Sequence, residues 1–539
     1  MGGDHGIRTK RSVRRAWSLL ALLAAGLSSG TAHAAWLKAE TEHFRIYSEG
    51  GEAQLRTFAS KLEDYDRILR LVTGTKLPPA PGKLDIYLVG SNADLRQVRP
   101  VSASVAGFYS ATPGAIAAFA IRRDRGGLDG DEVLQHEYTH HFMLQYYPMG
   151  YPAWYVEGFA EYMMTADILE KEFHVGRYNA GRGYMLVNAP WLPVQRILDG
   201  NAEGLNSLQM AQFYAQSWLI THWMFGQKKH LQLKRYLAAR NSGEDSQAVF
   251  QREFGMNYAE FTKALKTYVS RPLTYLKIGR PEDWGPASVT ITALPKSADD
   301  LLLPGAGISL GIDEERGRPM LARVRKAAAA FPGDRLAMAT QAEIELDVGD
   351  VATGRTLAEK LVAGEGAQDA HSLFLRGYAD LSAARKLEGQ ARAPLYDSAR
   401  KWFVRAFKAD KYYVPALWAY VETRSLEPLS DNDLNVLLEA QRLAPQVDEL
   451  RGSAAVALMQ KRYFDEAARM IEPLAADPHG GGSAARARAL LAMAKKHEPL
   501  SGAVQSWEGL ATTAEADAGD EGTDKSPAPQ DKAKAPPAG

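Results

Sequence analysis

The chain has no cysteine. Disulfide staples, thiolate metal sites and cysteine nucleophiles are therefore excluded. Any metal site must be built from histidines and carboxylates. An excess of charge is also missing: 64 basic residues balance 64 acidic ones across 539 positions. That balance argues against a nucleic-acid binder, which carries a basic excess or stripe. No apolar run reaches the 18 or so residues of a membrane-spanning helix. What remains is 46% hydrophobic and 24% charged, enough apolar material for more than one core.

The N-terminus reads as a targeting segment. Arg8, Lys10, Arg11, Arg14 and Arg15 precede an apolar run of 12 residues, Ala16 to Leu27, and a small polar region ends at Ala32-His33-Ala34. This is the layout of a secretory signal peptide covering 1–34. Arg14-Arg15 leaves twin-arginine export open beside the general route. Cleavage near Ala34 leaves 59 basic and 63 acidic residues. The expected product is exported, periplasmic or secreted, with no membrane span.

Along the mature chain, 35–285 mixes strand and helix signals. His43 to Tyr47 alternates with period two, and Leu84 to Val89 is a β-branched and aromatic run ending at Gly90. Apolar spacing from Ala53 to Val72 predicts a helix. Gly107 to Tyr109 and Ala115 to Ile121 flank Pro113-Gly114 as a hairpin. Later segments are helical, so the class is α+β. Residues 286–317 read as a linker with a short strand at Val289 to Thr292. Residues 318–500 read as an all-α domain with tetratricopeptide-like spacing, seen in Gly377-Tyr378 with Ala399, Phe403 and Ala406, and in Ala455, Leu458, Ala467, Ile471, Leu474 and Pro478. The insertion in the first unit falls around Lys386 to Pro394. A looser unit surrounds Gly349-Asp350. Residues 511–539 hold no Val, Leu, Ile or aromatic residue, and such a tail is expected to be disordered.

The chemistry concentrates in His136-Glu137-Tyr-Thr-His140. On a helix, His136 and His140 lie one turn apart on one face and can reach one cation, with Glu137 beside them as a base. Pro148 ends that helix. A second segment, Pro152-Ala-Trp-Tyr-Val-Glu157-Gly158-Phe-Ala-Glu161-Tyr162, sets two acids among apolar residues. A carboxylate buried there needs a compensating charge.

HEYTH followed by WYVEGFAEY resembles the gluzincin metallopeptidases, and in particular bacterial peptidase-MA-like domains of unknown function that accompany tetratricopeptide repeats. The likeness covers about 36–275, and includes Thr41 to Phe44, Ala106 to Tyr109 and Phe213 to Trp218. It implies a zincin-like fold in which His136, His140 and Glu157 hold Zn2+ and Glu137 is the general base. Glu157 is favoured over Glu161 because it directly precedes Gly158. Glu161 would then orient a ligand histidine. A downstream tyrosine, Tyr214, is the expected oxyanion donor, with packing as its alternative role; His222 is the second candidate. His141 points away from the ligand face, either supporting it or exposed.

The resemblance implies peptide hydrolysis, with extended substrate adding to a strand beside the zinc helix, taken to be Ala115 to Ile121. Gly114-Ala-Ile-Ala-Ala lacks the acid of the aminopeptidase motif, which favours an endopeptidase. Two other readings stay open: an envelope scaffold or adaptor whose zinc domain is inactive and whose helical repeats bind a protein, and a hydrolase of non-peptide amides such as cell-wall crosslinks.

Overall fold

The computed structural model describes residues 36–103, 105–122, 129–200, 202–364, 368–500 and 506–510. The expected signal peptide (1–34) and tail (511–539) lie outside the described residues. Among the described residues, no helix is long and apolar enough to cross a membrane.

The N-terminal half is built on a six-stranded mixed sheet. Its strands are β1 (Trp36–Glu40), β2 (Phe44–Glu49), β3 (Leu84–Val89), β4 (Gly107–Ala111), β5 (Ile116–Ile121) and β9 (Thr290–Ala293), ordered β4-β5-β3-β2-β1-β9. β2, β3 and β5 run parallel, while β4, β1 and β9 are antiparallel to their neighbours. Parallel neighbours need crossovers. Helices α1 (Glu52–Thr73) and α2 (Asn92–Val98) lie within the two that link β2 to β3 and β3 to β5.

Side chains alternate cleanly across this sheet. Ile46, Ile86, Leu88, Ala118 and Ala120 face the main core with α1 and with α3 (Asp129–Tyr146). Tyr87, Val89, Ala117 and Phe119 face a second core with Leu95 and Val98 of α2. On that second face Tyr47, Tyr87, Phe119 and Phe108 stack in series, with ring centroids 4.7, 4.8 and 4.7 Å apart.

After α3 come α4 (Ala153–Met163), a small sheet of β6 (Asp167–Ile168), β7 (Glu172–Val175) and β8 (Leu276–Gly279), and helices α5 (Ala180–Asn188), α6 (Val194–Leu198), α7 (Ser207–Gly226), α8 (His230–Asn241), α9 (Ser246–Phe254) and α10 (Tyr258–Val269).

Residues 286–317 are not a bare linker. They contain β9, which pairs with β1, and α11 (Ala298–Ser309), whose Ala298, Leu302, Leu303 and Ala306 close the second face of the sheet. The physical reason is the aromatic stack, which would be exposed without an apolar cover beyond what the short α2 gives. The helical part continues through α12 (Glu314–Ala328), α13 (Arg335–Val348), α14 (Val351–Leu361), α15 (Ala370–Arg385), α16 (Ala393–Ala409), α17 (Val414–Glu422), α18 (Asp431–Leu443), α19 (Asp448–Gln460), α20 (Phe464–Ala475) and α21 (Gly481–Lys495). Each helix packs on the next, and several also on the next but one, as stacked helical hairpins do. Gly377 sits against Phe403 and Trp402, so α15 and α16 approach closely. This part also runs past 500: Trp507 is buried against Gly452.

Helix α1 holds α3 in place through buried polar contacts. Tyr138 donates to Asp66 Oδ1 at 2.7 Å, the Tyr65 hydroxyl meets Thr139 Oγ1 at 2.8 Å, and Arg70 reaches Tyr146. Asp66 and Glu63 are shared with His43, whose Nδ1 lies 2.7 Å from Glu63 Oε2 and whose Nε2 lies 3.4 Å from Asp66 Oδ2. Burial works against the charged His43, but the Glu63 hydrogen bond and the Asp66 and Glu63 charges outweigh it and raise its pKa above 6.5. Burial likewise works against the Glu63 anion, and bonding to His43 outweighs it, holding its pKa below 4.5. The histidine term is therefore full below pH 6.5 and lost as the pH rises through its folded value. The Glu63 term is full above pH 4.5 and lost as the pH falls through its folded value. The destabilisation caused by His43→Gln, read from urea midpoints, should be largest between pH 4.5 and 6.5 and shrink above that window. A penalty that grows with pH would contradict this network.

Candidate metal centre

Helix α3 carries His136 and His140 one turn apart, with ring centroids at 4.6 Å. Its opposite face, with Leu134, Tyr138, Phe142 and Met143, is sunk in the main core. The histidines therefore point away from the core, and each side chain is only 13–14% exposed. A short turn through Pro148 and Pro152 leads into α4, which packs on α3.

Helix α4 is buried almost all round, because its other side packs on α7. Gly158 makes that contact possible: a methyl group there would collide with the Ser217 carbonyl oxygen and the Thr221 hydroxyl. Its neighbour Glu157 is 1% exposed, and among the described residues its close polar contacts are ionic ones to histidine rings at 2.8–3.7 Å rather than aligned hydrogen bonds. A buried carboxylate depends on such partners to offset its lost hydration.

Three donors converge there. Glu157 Oε2 lies 3.6 Å from His136 Nε2 and 3.7 Å from His140 Nε2, and the two Nε2 atoms are 3.0 Å apart. A tetrahedral cation bound at about 2.0–2.1 Å needs its ligand atoms about 3.3–3.4 Å apart, so the triangle fits a small divalent ion. A second donor group, Glu42, His43 and Glu63, also comes together. There both Glu63 oxygens are already taken by the backbone and ring of His43.

The other expected residues fall as follows. Glu161 Oε1 faces His136 Nδ1 at 3.6 Å and is held by Arg182 through two hydrogen bonds of 2.8 and 2.6 Å. Tyr214 is buried on α7, with the Arg182 guanidinium 5.2 Å from its ring centre. Burial, reinforced by the Glu157 and Glu161 charges, raises the Tyr214 pKa well above 10, so it is a neutral phenol. Glu137 is half-buried on α3, and its charge acts on His136, Tyr214 and Tyr109. Burial opposes charge on His136, but its contact with Glu157 and the charges of the nearby carboxylates raise its pKa.

Two expectations change. His222 is not turned to this centre: its ring nitrogens meet the Tyr268 hydroxyl at 2.9 Å and the Gly176 carbonyl at 3.0 Å. The roughly two turns between Tyr214 and His222 leave enough angular drift to put His222 on another side of α7. The strand Ala115 to Ile121 cannot take a peptide, because β5 is paired on both sides, with β3 and β4. The Pro113-Gly114 hairpin folds β4 outside it, and β4 is the edge strand. His141 is enclosed rather than exposed, bonded to the Tyr109 hydroxyl at 2.9 Å. Burial pushes its pKa down to about 3, so it is neutral.

Two residues were not legible in the sequence. Arg182 stands 21 positions beyond Glu161; a buried acid demands a cation, but nothing local says which one. His479, in the loop between α20 and α21, brings Nε2 to 2.8 Å from Glu157 Oε1. No motif surrounds it.

No protein-family model matches the chain, and no curated protein matches it. Among solved structures, a thermophilic TPR protein of Thermus thermophilus is similar over 36% of this chain and 99% of its own, at 21% identity and a TM-score of 0.31.

Gly158→Ala should destabilise the protein by about 1–3 kcal/mol through overpacking against α7, read as a lowered urea midpoint. An unchanged midpoint would show that α4 and α7 have room to separate.

Proposed function

We propose that the chain is an exported zinc-dependent peptidase, an endopeptidase in preference to an exopeptidase. The observation that carries this reading is the buried Glu157 carboxylate converging with His136 and His140. These three residues would hold Zn2+. A zinc ion bound there supplies Lewis acidity and lowers the pKa of a water towards neutrality.

The chain's own groups perform the remaining tasks. Glu137, next to His136 in sequence and on the same helix, accepts the proton of the attacking water and passes it to the leaving amine. Tyr214, kept protonated by its surroundings, donates to the developing oxyanion. Glu161, neutralised by Arg182, sets the electrostatic environment of His136 Nδ1. An extended peptide adds to the sheet at its edge strand β4. The stacked helices act as tetratricopeptide-like repeats that bind a protein, either the substrate or a partner. The basic stretch, apolar run and Ala32-His33-Ala34 support export.

The test is metal analysis of the purified mature chain, combined with cleavage of a broad peptide library. One zinc per chain is expected, lost on His136→Ala and on Glu157→Gln. Glu137→Gln keeps every ligand and removes the base, so it should be folded and zinc-loaded with a rate lowered about 10²–10⁴-fold. Turnover at the wild-type rate in zinc-loaded Glu137→Gln would sink this mechanism. A zinc-loaded wild type that cleaves nothing would favour the scaffold reading.

A further inference from the structure

The two oxygens of Glu157 face different halves of the molecule. Oε2 faces the two histidines of α3, at 3.6 and 3.7 Å. Oε1 faces His479 Nε2, at 2.8 Å. His479 comes more than 300 positions later in the chain, from the helical part. Its nitrogen is not among the three donors that lie within 4.8 Å of one another. It therefore addresses the carboxylate rather than the cation position.

The loop that presents His479 is fixed. The His479 amide donates to Asp477 Oδ1 at 2.8 Å. Its ring stacks beside Tyr214, with centroids 6.4 Å apart and planes 20° apart, and meets the His140 ring edge-on at 5.8 Å. The body behind the loop is docked as well. Gln446 Nε2, between α18 and α19, donates to the His141 carbonyl at 3.3 Å and to Gln145 Oε1 at 3.0 Å, both on the histidine helix. Arg488 of α21 pairs with Glu203. Ala111 and Ile116, from the β4–β5 hairpin, pack against the core formed by α18 to α21.

Carboxylates that bind metals are themselves held by outer groups, and losing such a group weakens metal binding about 10–100-fold. We propose that His479 is a positioning residue of the metal centre: it holds the outer oxygen of Glu157, so that retention of the cation depends on the helical half as well as on α3 and α4. This rests on the reading of His136, His140 and Glu157 as a zinc site. The helical part then supplies a side chain to the site, in addition to any partner it binds.

The experiment measures zinc affinity of the full-length mature chain by chelator competition, for wild type, His479→Ala and His479→Gln, with circular dichroism of each apo-protein. Glutamine keeps an N–H donor near the Nε2 position, while alanine keeps none. The expected result is an apo-fold unchanged in all three, affinity about 10–100-fold weaker in His479→Ala, and most of that loss restored in His479→Gln. Equal zinc affinity in wild type and His479→Ala would overturn the positioning role and leave the zinc site standing. Equal weakening in both variants would also overturn it, since a shape effect alone would then suffice. A wild-type chain that binds no zinc would remove the site itself and this role with it.

Discussion

A buried carboxylate governs the arrangement of this protein. Glu157 lies within a helix of tryptophan, phenylalanine, alanine and glycine, 1% exposed and without an aligned hydrogen bond. Such a group is tolerable only where positive or metal-ligating partners surround it. Three histidines from two distant parts of the chain do so: His136, His140 and His479. Burial opposes the Glu157 anion, but the His479 and His140 charges outweigh it and hold its pKa well below 4.5. The neighbouring Glu161 meets the same demand with Arg182 instead. Two acids one turn apart thus have different partners, one a rigid guanidinium fork and the other a set of imidazoles. A guanidinium has no lone pair to offer a cation, whereas an imidazole in its neutral form has one.

Helices α3 and α4 hold that carboxylate because their outer faces are anchored elsewhere. Tyr138 and Tyr146 fix α3 to α1, and Gly158 lets α4 press against α7. The sheet beneath is closed on its second face by α11, the first helix of the helical half. The two halves consequently share a core at one end, at α11, and a polar and hairpin contact at the other, around His479 and Gln446. The helical half leaves the sheet and returns to the histidine helix.

Legibility in the sequence followed the range of the interactions. The hairpin at Pro113-Gly114, the helices carrying His136 and Glu157, and the pairing of Gly377 with Phe403 all depend on periodicity or turn chemistry within a few dozen residues, and these could be read. The strand near Val289 could be read as a strand, but not its partner: β9 pairs with β1 some 250 positions away, and no local pattern encodes that choice. The same limit hid α11, whose apolar face looks like any short amphipathic helix until the aromatic stack it covers is known. It also hid that Ala115 to Ile121 lies inside the sheet, since edge position depends on the order of strands rather than on their composition. His479 lay furthest out of reach, a single histidine in a loop of ordinary residues.

The pairing of β1 with β9 has a consequence for how the chain acquires its structure. β1 begins at Trp36 and finds its outer neighbour only at Thr290–Ala293. Loop closure over that separation is entropically slow, and contacts so distant in sequence delay folding. As the chain emerges from its N-terminus, the hydrogen-bonding edge of β1 and the aromatic face of the sheet stay open while some 250 further residues arrive. An unpaired edge of that kind invites pairing with another chain. Until β9 and α11 have arrived, a nascent chain of this topology presents that edge to its own copies, an exposure set by strand order rather than by any motif.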